Sequence, residues 1–211
     1  MSPSPGPGPA GLPVLSERRQ RLVEAAVQVL AEDGPHGLSL RRIAALAGSS
    51  TQEVYTLFGG KAGLAEALYT EGFRRMSITI TSALATAPPP GDPGRLIALG
   101  RAYRQFALKE RAFFSVMFGR SIPGFSPPSE TRAARRAETL GHVVRAADEC
   151  LFAGTLIAKD AIHIARTCWV TMHGLCSLEV AGLLSIDDED AFADAVIQGI
   201  VDQFTPPGQP G

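Results

Sequence analysis

The chain has 211 residues, 45% of them apolar, with 20 basic against 21 acidic side chains and a formal net charge of −1. Those values give enough apolar matter for a real core and fit one domain or two small ones. The charge balance excludes both a disordered polyelectrolyte and a protein that holds nucleic acid by bulk charge. Cys150, Cys168 and Cys176 fit neither a disulfide framework nor a CxxC zinc site, and are expected as reduced, small hydrophobes.

Residues 1–15, rich in Pro, Gly and Ser, lack the charge and apolar stretch of a signal peptide and read as a disordered arm. Ser16-Glu17 opens a first helix, with Leu22, Ala26, Val29 and Leu30 on one stripe, and Asp33-Gly34-Pro35 stops it. Ser39 is the expected cap of a short second helix with Leu40, Ile43, Ala44 and Ala47 on one buried face, ended by Gly48. Ser49 and Ser50 are two candidate caps for a third short helix, with Val54 and Phe58 buried and Gly59-Gly60 as its break. A fourth helix starts near Lys61, passes Met76 and fades before the linker Pro88–Pro93.

Helices are expected next at 94–108 and 110–119, then a loop at Ser121–Ser129 and a long helix at 130–152. Two last helices, 158–184 and 188–204, are separated by Asp187-Asp188-Glu189-Asp190, acids that suit a helix N-terminus. No strand-length alternation stands apart from a helix. The stretch Thr167–Ile186 contains Glu179 and His173 and does not read as a membrane span. The expected fold is all-α: an N-terminal three-helix bundle followed by a larger helical domain.

Helices two and three, joined by a tight turn at Gly48, have the size and spacing of a helix-turn-helix. In that arrangement the second helix enters the major groove, which is about 12 Å wide, and reads base edges. Besides Val54 and Phe58, the third helix offers Thr51, Gln52, Glu53, Tyr55, Thr56 and Leu57, and Gln pairs bidentately with adenine. Lys61 can share one phosphate with the free N–H groups of the next helix. Arg41 and Arg42 add charge on the bracing helix, and Arg18, Arg19 and Arg21 add it near helix one. Residues 16–75 carry eight basic against seven acidic groups, net +1, so affinity for DNA of arbitrary sequence should be modest.

The run Gly37-Leu-Ser-Leu-Arg-Arg-Ile-Ala-Ala-Leu-Ala-Gly48, then Val54-Tyr-Thr-Leu-Phe-Gly-Gly-Lys61 and Leu64, resembles the DNA-binding domain of the tetracycline-repressor (TetR) family. The resemblance covers about 16–75 and implies a homodimeric transcriptional regulator, usually a repressor of a double-stranded operator released by a small effector; the reduced cysteines and the lack of a membrane span lead to an expected cytoplasmic location. By position, Tyr55 and Lys61 match its phosphate contacts, Thr51, Gln52 and Thr56 its base-facing positions, and Arg41 a contact on the bracing helix. Ser50 completes the expected DNA-binding set. Many members carry His where this chain has Leu57, which cannot donate a hydrogen bond.

Trp169-Val-Thr-Met-His173-Gly174-Leu175, with Leu178-Glu179 and Gly182, resembles the Trp/His/Gly-containing C-terminal domain of one branch of that family, over roughly 95–205. Trp169, His173, Cys176 and Val180 share a helical face, and Gly174 and Gly182 are expected to allow close helix approach. His173 with Cys176 has metal-ligand spacing, but neither His142 nor His163 is spaced to complete a set, so no metal or cofactor is expected. No catalytic motif is present. Phe106, Phe113, Met117, Trp169 and Met172 are candidate effector contacts. Phe192, Val196, Ile197, Ile200, Val201 and Phe204 form a stripe on the last helix, expected to join a dimeric four-helix bundle.

The division read from the sequence is 16–60 for DNA binding, 61–205 for effector binding and dimerisation, and a tail at 206–211. The rival from another class is an all-α small-molecule binder or enzyme that has lost DNA binding, favoured by Leu57 and the thin positive charge.

Overall fold

The computed structural model describes residues 16–34, 37–119, 122–184 and 186–207. The arm at 1–15, Pro35 of the first turn signal, Ser121 and the last four tail residues lie outside them. The described residues form helices only: α1 (Glu17–Asp33), α2 (Leu40–Leu46), α3 (Thr51–Phe58), α4 (Lys61–Thr86), α5 (Gly94–Lys109), α6 (Arg111–Phe118), α7 (Ser129–Ala153), α8 (Ala161–Val180) and α9 (Glu189–Asp202). Among them no helix is long and apolar enough to cross a membrane.

The described residues form two compact units, one of those within 16–78 and 110–131, the other of those within 79–109 and 132–207. In the first, α1 packs on α2 and α6, and α2 packs on α3. Its core holds Leu22, Val23, Val29, Ile43, Val54, Leu64 and Leu68, all without solvent exposure. These residues recur at helical spacing, so each helix buries one stripe, at roughly 2 kcal/mol for each large side chain withdrawn from water.

The second unit packs α5 on α8 and α9, and α8 on α9. Gly100 lets α5 approach α9 closely: a Cβ there would lie 3.3 Å from both Cγ atoms of Ile197. The starts of α8 and α9 are capped by aspartates. Asp160 accepts from the His163 amide at 2.7 Å, and Asp188 accepts from the Ala191 amide at 2.9 Å. Within the acidic run Asp188 is therefore the cap, and Glu189 and Asp190 lie in the first turn of α9, where the helix dipole favours negative charge.

Three sequence expectations change here. Ser16 and Ser39 occupy the N-cap positions of α1 and α2, but neither side chain makes a cap hydrogen bond. Ile197, Ile200, Val201 and Phe204 of the α9 stripe turn inward and are buried within the chain, leaving Phe192 exposed. Gly174 and Gly182 are exposed with nothing within 4 Å of a built Cβ, so neither serves a close approach within the chain; Gly182 instead supplies a left-handed turn after α8, at φ 67°.

Candidate nucleic-acid interface

The α2–α3 turn is closed by its own backbone. Gly48 takes φ 61°, its amide donates to the Ala45 carbonyl at 3.2 Å, and the Ser49 amide donates to the Ala44 carbonyl at 2.8 Å. This is the glycine-terminated helix ending, in which two otherwise orphaned carbonyls are satisfied. Of the two candidate caps, Ser50 is the N-cap: its hydroxyl accepts from the Glu53 amide at 3.1 Å. Ser49 donates its hydroxyl to the Glu53 carboxylate at 2.6 Å. The Ser50-x-x-Glu53 spacing is that of a capping box, with the acid's return bond taken by the neighbouring serine.

α3 ends where Gly59 enters the left-handed region, its amide donating to Tyr55 O at 2.8 Å. Gly60 follows at φ 111°, and a Cβ on it would lie 3.1 Å from a Tyr55 ring carbon. The Tyr55 ring thus lies against bare backbone while the side chain stays 56% exposed. Lys61 is the exposed first residue of α4.

Val54 and Phe58 face inward, and Thr51, Gln52, Tyr55 and Thr56 are exposed. Thr56 is partly committed, its hydroxyl donating to the Gln52 carbonyl at 2.9 Å. Arg41 is exposed on α2.

Two arginines counted as backbone charge are spent inside the unit. Arg42 pairs with Glu32 and Asp33 at the end of α1. Arg19 donates to the Leu57 carbonyl at 2.7 Å, and its guanidinium lies 4.6 Å from the centroid of the Phe58 ring. Sequence patterning assigned them by sign alone, and the carboxylates that claim Arg42 are nine and ten residues away.

A further charged cluster escaped the sequence reading. Glu71 on α4 is buried, taking two hydrogen bonds from Arg74 at 2.7 Å and one from Arg75 at 3.0 Å. Arg75 also pairs with Glu24 on α1 and with Glu110 before α6, and lies 4.6 Å from the centroid of the Phe113 ring. Burial pushes the Glu71 carboxyl up, but the bonds from Arg74 and then Arg75 outweigh it and hold its pKa below the usual range. The available signal was an acid followed at i+3 and i+4 by two arginines within an apolar run.

The candidate effector contacts fall in different units. Phe113 and Met117 line the first, against Gly72. Phe106, Trp169 and Met172 belong to the second, where Phe106 and Met172 are buried and Trp169 is half-buried. There the half-buried His173 shares a hydrogen bond with the Tyr103 hydroxyl at 2.9 Å through Nδ1, and the Trp169 ring lies 5.9 Å from its own. Burial lowers the His173 pKa. Buried Glu179 binds Arg104 at 2.7 Å, and Arg104 also reaches Asp190. Cys150 and Cys176 are buried free thiols and Cys168 is half-buried; burial pushes Cys168 up to about 11 and Cys176 up to about 12. Among the described residues no group of three His, Cys, Asp or Glu is placed to hold a metal ion.

Residues 22–68 match the family model for bacterial regulatory proteins of the tetR family, and residues 96–202 match the tetracyclin repressor-like C-terminal domain. An HTH-type transcriptional regulator of Mycobacterium tuberculosis is 26% identical over 121 residues, 57% of this chain and 52% of its own. The HTH-type transcriptional regulator BetI of Vibrio parahaemolyticus is 36% identical over 89 residues, 42% of this chain and 44% of its own. The chain thus spans about half the length of the curated relatives it matches.

A solved structure of a protein of unknown function from Rhodococcus sp. RHA1 is 28% identical with a TM-score of 0.76, covering 91% of this chain and 97% of that one. A bacterial regulatory protein of the tetR family from Rhodococcus RHA1 shares the fold at 23% identity and a TM-score of 0.71, covering 90% of this chain and 98% of that one. With its glycine-closed turn, its capped and polar third helix and both family models matched, the chain belongs to the TetR family of DNA-binding, helix-turn-helix transcriptional regulators.

Proposed function

We propose that the protein is an effector-responsive repressor, without enzymatic activity, that works in the cytoplasm and binds a palindromic operator as a homodimer. Segment 16–60 is the reading head and 61–205 carries effector binding and dimerisation. The observation that carries this reading is the exposed set Thr51, Gln52, Tyr55 and Thr56 on a capped α3, beside the exposed Lys61. Gln52 pairs with a base edge, Thr51 and Thr56 face bases, and Ser50 holds the helix start. Tyr55, Lys61 and Arg41 bind phosphates, which fix register without reading sequence.

Dimerisation is supported by an outward stripe on α8: Ile162, Arg166, Val170, Gly174 and Leu178, exposed at four-residue intervals. Phe192, Ala195 and Gly199 are exposed on α9. The apolar half of the α8 stripe, with the bare Gly174 between Val170 and Leu178, suits a twofold helix crossing. Phe106, Trp169 and Met172, all in the second unit, are put forward as effector contacts. An effector that binds better to one spacing of the two reading heads shifts the population and changes operator affinity by its differential binding.

The experiment is selection of bound duplexes from a random pool, followed by titration at fixed salt. Lys61→Ala and Tyr55→Phe are expected to weaken binding to all sequences, and Gln52→Ala to relax base preference. Unchanged affinity in all three variants refutes the placement. Sedimentation of Val170→Asp, expected to move the protein from dimer to monomer, tests the α8 face.

A further inference from the structure

We propose that Arg18 is a further phosphate contact and that it holds the DNA strand opposite the one held by Lys61. The inference rests on the DNA-reading function proposed above and adds the arrangement of the two strands around α3. Successive residues of a helix are 100° apart. With Val54 and Phe58 pointing inward, Thr56 lies at the centre of the outer face, with Gln52 beside it. Glu53 and Leu57 then form one flank of α3, and Tyr55 with Thr51 the other.

Each flank is occupied by the first turn of a neighbouring helix. On the Glu53–Leu57 flank lies α1: Arg18 Nη1 is 3.6 Å from Glu53 Oε1, and Arg19 donates to the Leu57 carbonyl. On the Tyr55 flank lies the start of α4, where the ring packs over Gly60 and Lys61 follows. The recognition helix is therefore bracketed by Arg18 on one side and Lys61 on the other. A helix lying in the major groove has one phosphate backbone along each flank, and the two belong to opposite strands.

Arg18 is distinguished from its neighbours by what it leaves free. Arg19 is committed to Leu57 and Phe58, and Arg42 to Glu32 and Asp33. The Arg18 side chain is 73% exposed, and its loose, solvent-facing pair with Glu53 contributes little and leaves most guanidinium donors outward.

The test uses the full chain, a duplex recovered in the selection above, and the variants Arg18→Ala, Arg18→Lys and Lys61→Ala. Affinity is measured across a salt series, and phosphates are mapped by ethylation interference. Losing one phosphate contact flattens the log–log salt slope by about 0.9, roughly an eightfold loss of affinity near 0.1 M salt. Arg18→Ala is expected to show that loss and to erase interference on one strand, Lys61→Ala to erase it on the other, and Arg18→Lys to keep the slope. If Lys61→Ala flattens the slope and Arg18→Ala does not, or if both erase the same strand, the bracket is overturned while the DNA-reading function stands. If neither variant alters the slope, or no duplex is recovered, both fall.

Discussion

Glu71 is the side chain whose loss should cost the first unit most for its size. Its side chain is 1% exposed, against 17% for Arg74 and 21% for Arg75. Glu71→Ala removes three charge-assisted hydrogen bonds and leaves two guanidinium groups facing a dry space. Breaking a buried ion pair by deleting one partner costs about 3–5 kcal/mol. The arginines are one-fifth exposed, and Arg75 keeps Glu24 and Glu110, so solvent and those acids recover part of that cost. The expected loss is about 2 kcal/mol. In urea unfolding followed by far-ultraviolet ellipticity, at a slope of about 2 kcal/mol per molar, that moves the midpoint down by about 1 M. Arg101→Ala is the reference: its pair with Asp194 is more than half exposed on both sides, and its loss should move the midpoint by less than a quarter as much. A Glu71→Ala midpoint no lower than that of Arg101→Ala refutes the reasoning.

The acid limb of stability should carry the same residue's signature. Because the folded pKa of Glu71 lies below its ordinary value of 4.5, its contribution is complete above that pH and is lost as pH falls through the folded value; Glu71→Gln should flatten that part of a stability-against-pH curve. Gly60→Ala forces a Cβ into φ 111° beside the Tyr55 ring and should cost about 1–2 kcal/mol and weaken DNA binding, whereas Gly59→Asn, at a left-handed position with open space, should be near neutral in both thermal melts and titrations. Gly100→Ala gains about 1 kcal/mol of helix propensity but overpacks a buried Ile197, for a net loss of about 1 kcal/mol that Ile197→Ala should partly relieve in a double-mutant cycle.

What was legible in the sequence was whatever depends on local chemistry. Gly48, Ser50 and Gly59 stand where backbone geometry needs a glycine or a hydroxyl, and Val54 and Phe58 recur at the helical period, so the boundaries of α3 could be read within a residue. Partner choice across distance was not legible. The α9 stripe announces that Ile197, Ile200 and Val201 are buried, but its period is the same whether another helix of the chain or a second copy covers it. Arg42 and Arg41 are adjacent in sequence, identical in type and both exposed, yet it is Arg42 that is tied to the α1 carboxylates. Glu71 was missed although its arginines stand at i+3 and i+4, because that spacing also describes an exposed helix pair and does not tell that the acid is buried.

The internal commitment of Arg19 and Arg42 reaches beyond packing. A regulator that spends its cations on its own frame has few left for the chromosome at large, where every stretch of duplex competes for it. Such a protein dwells briefly on random sequence, explores the genome more by free diffusion than by sliding, and must draw its preference for the right site from hydrogen bonds to bases. Its occupancy should accordingly respond more steeply to a changed base pair than to a change in cellular ionic strength.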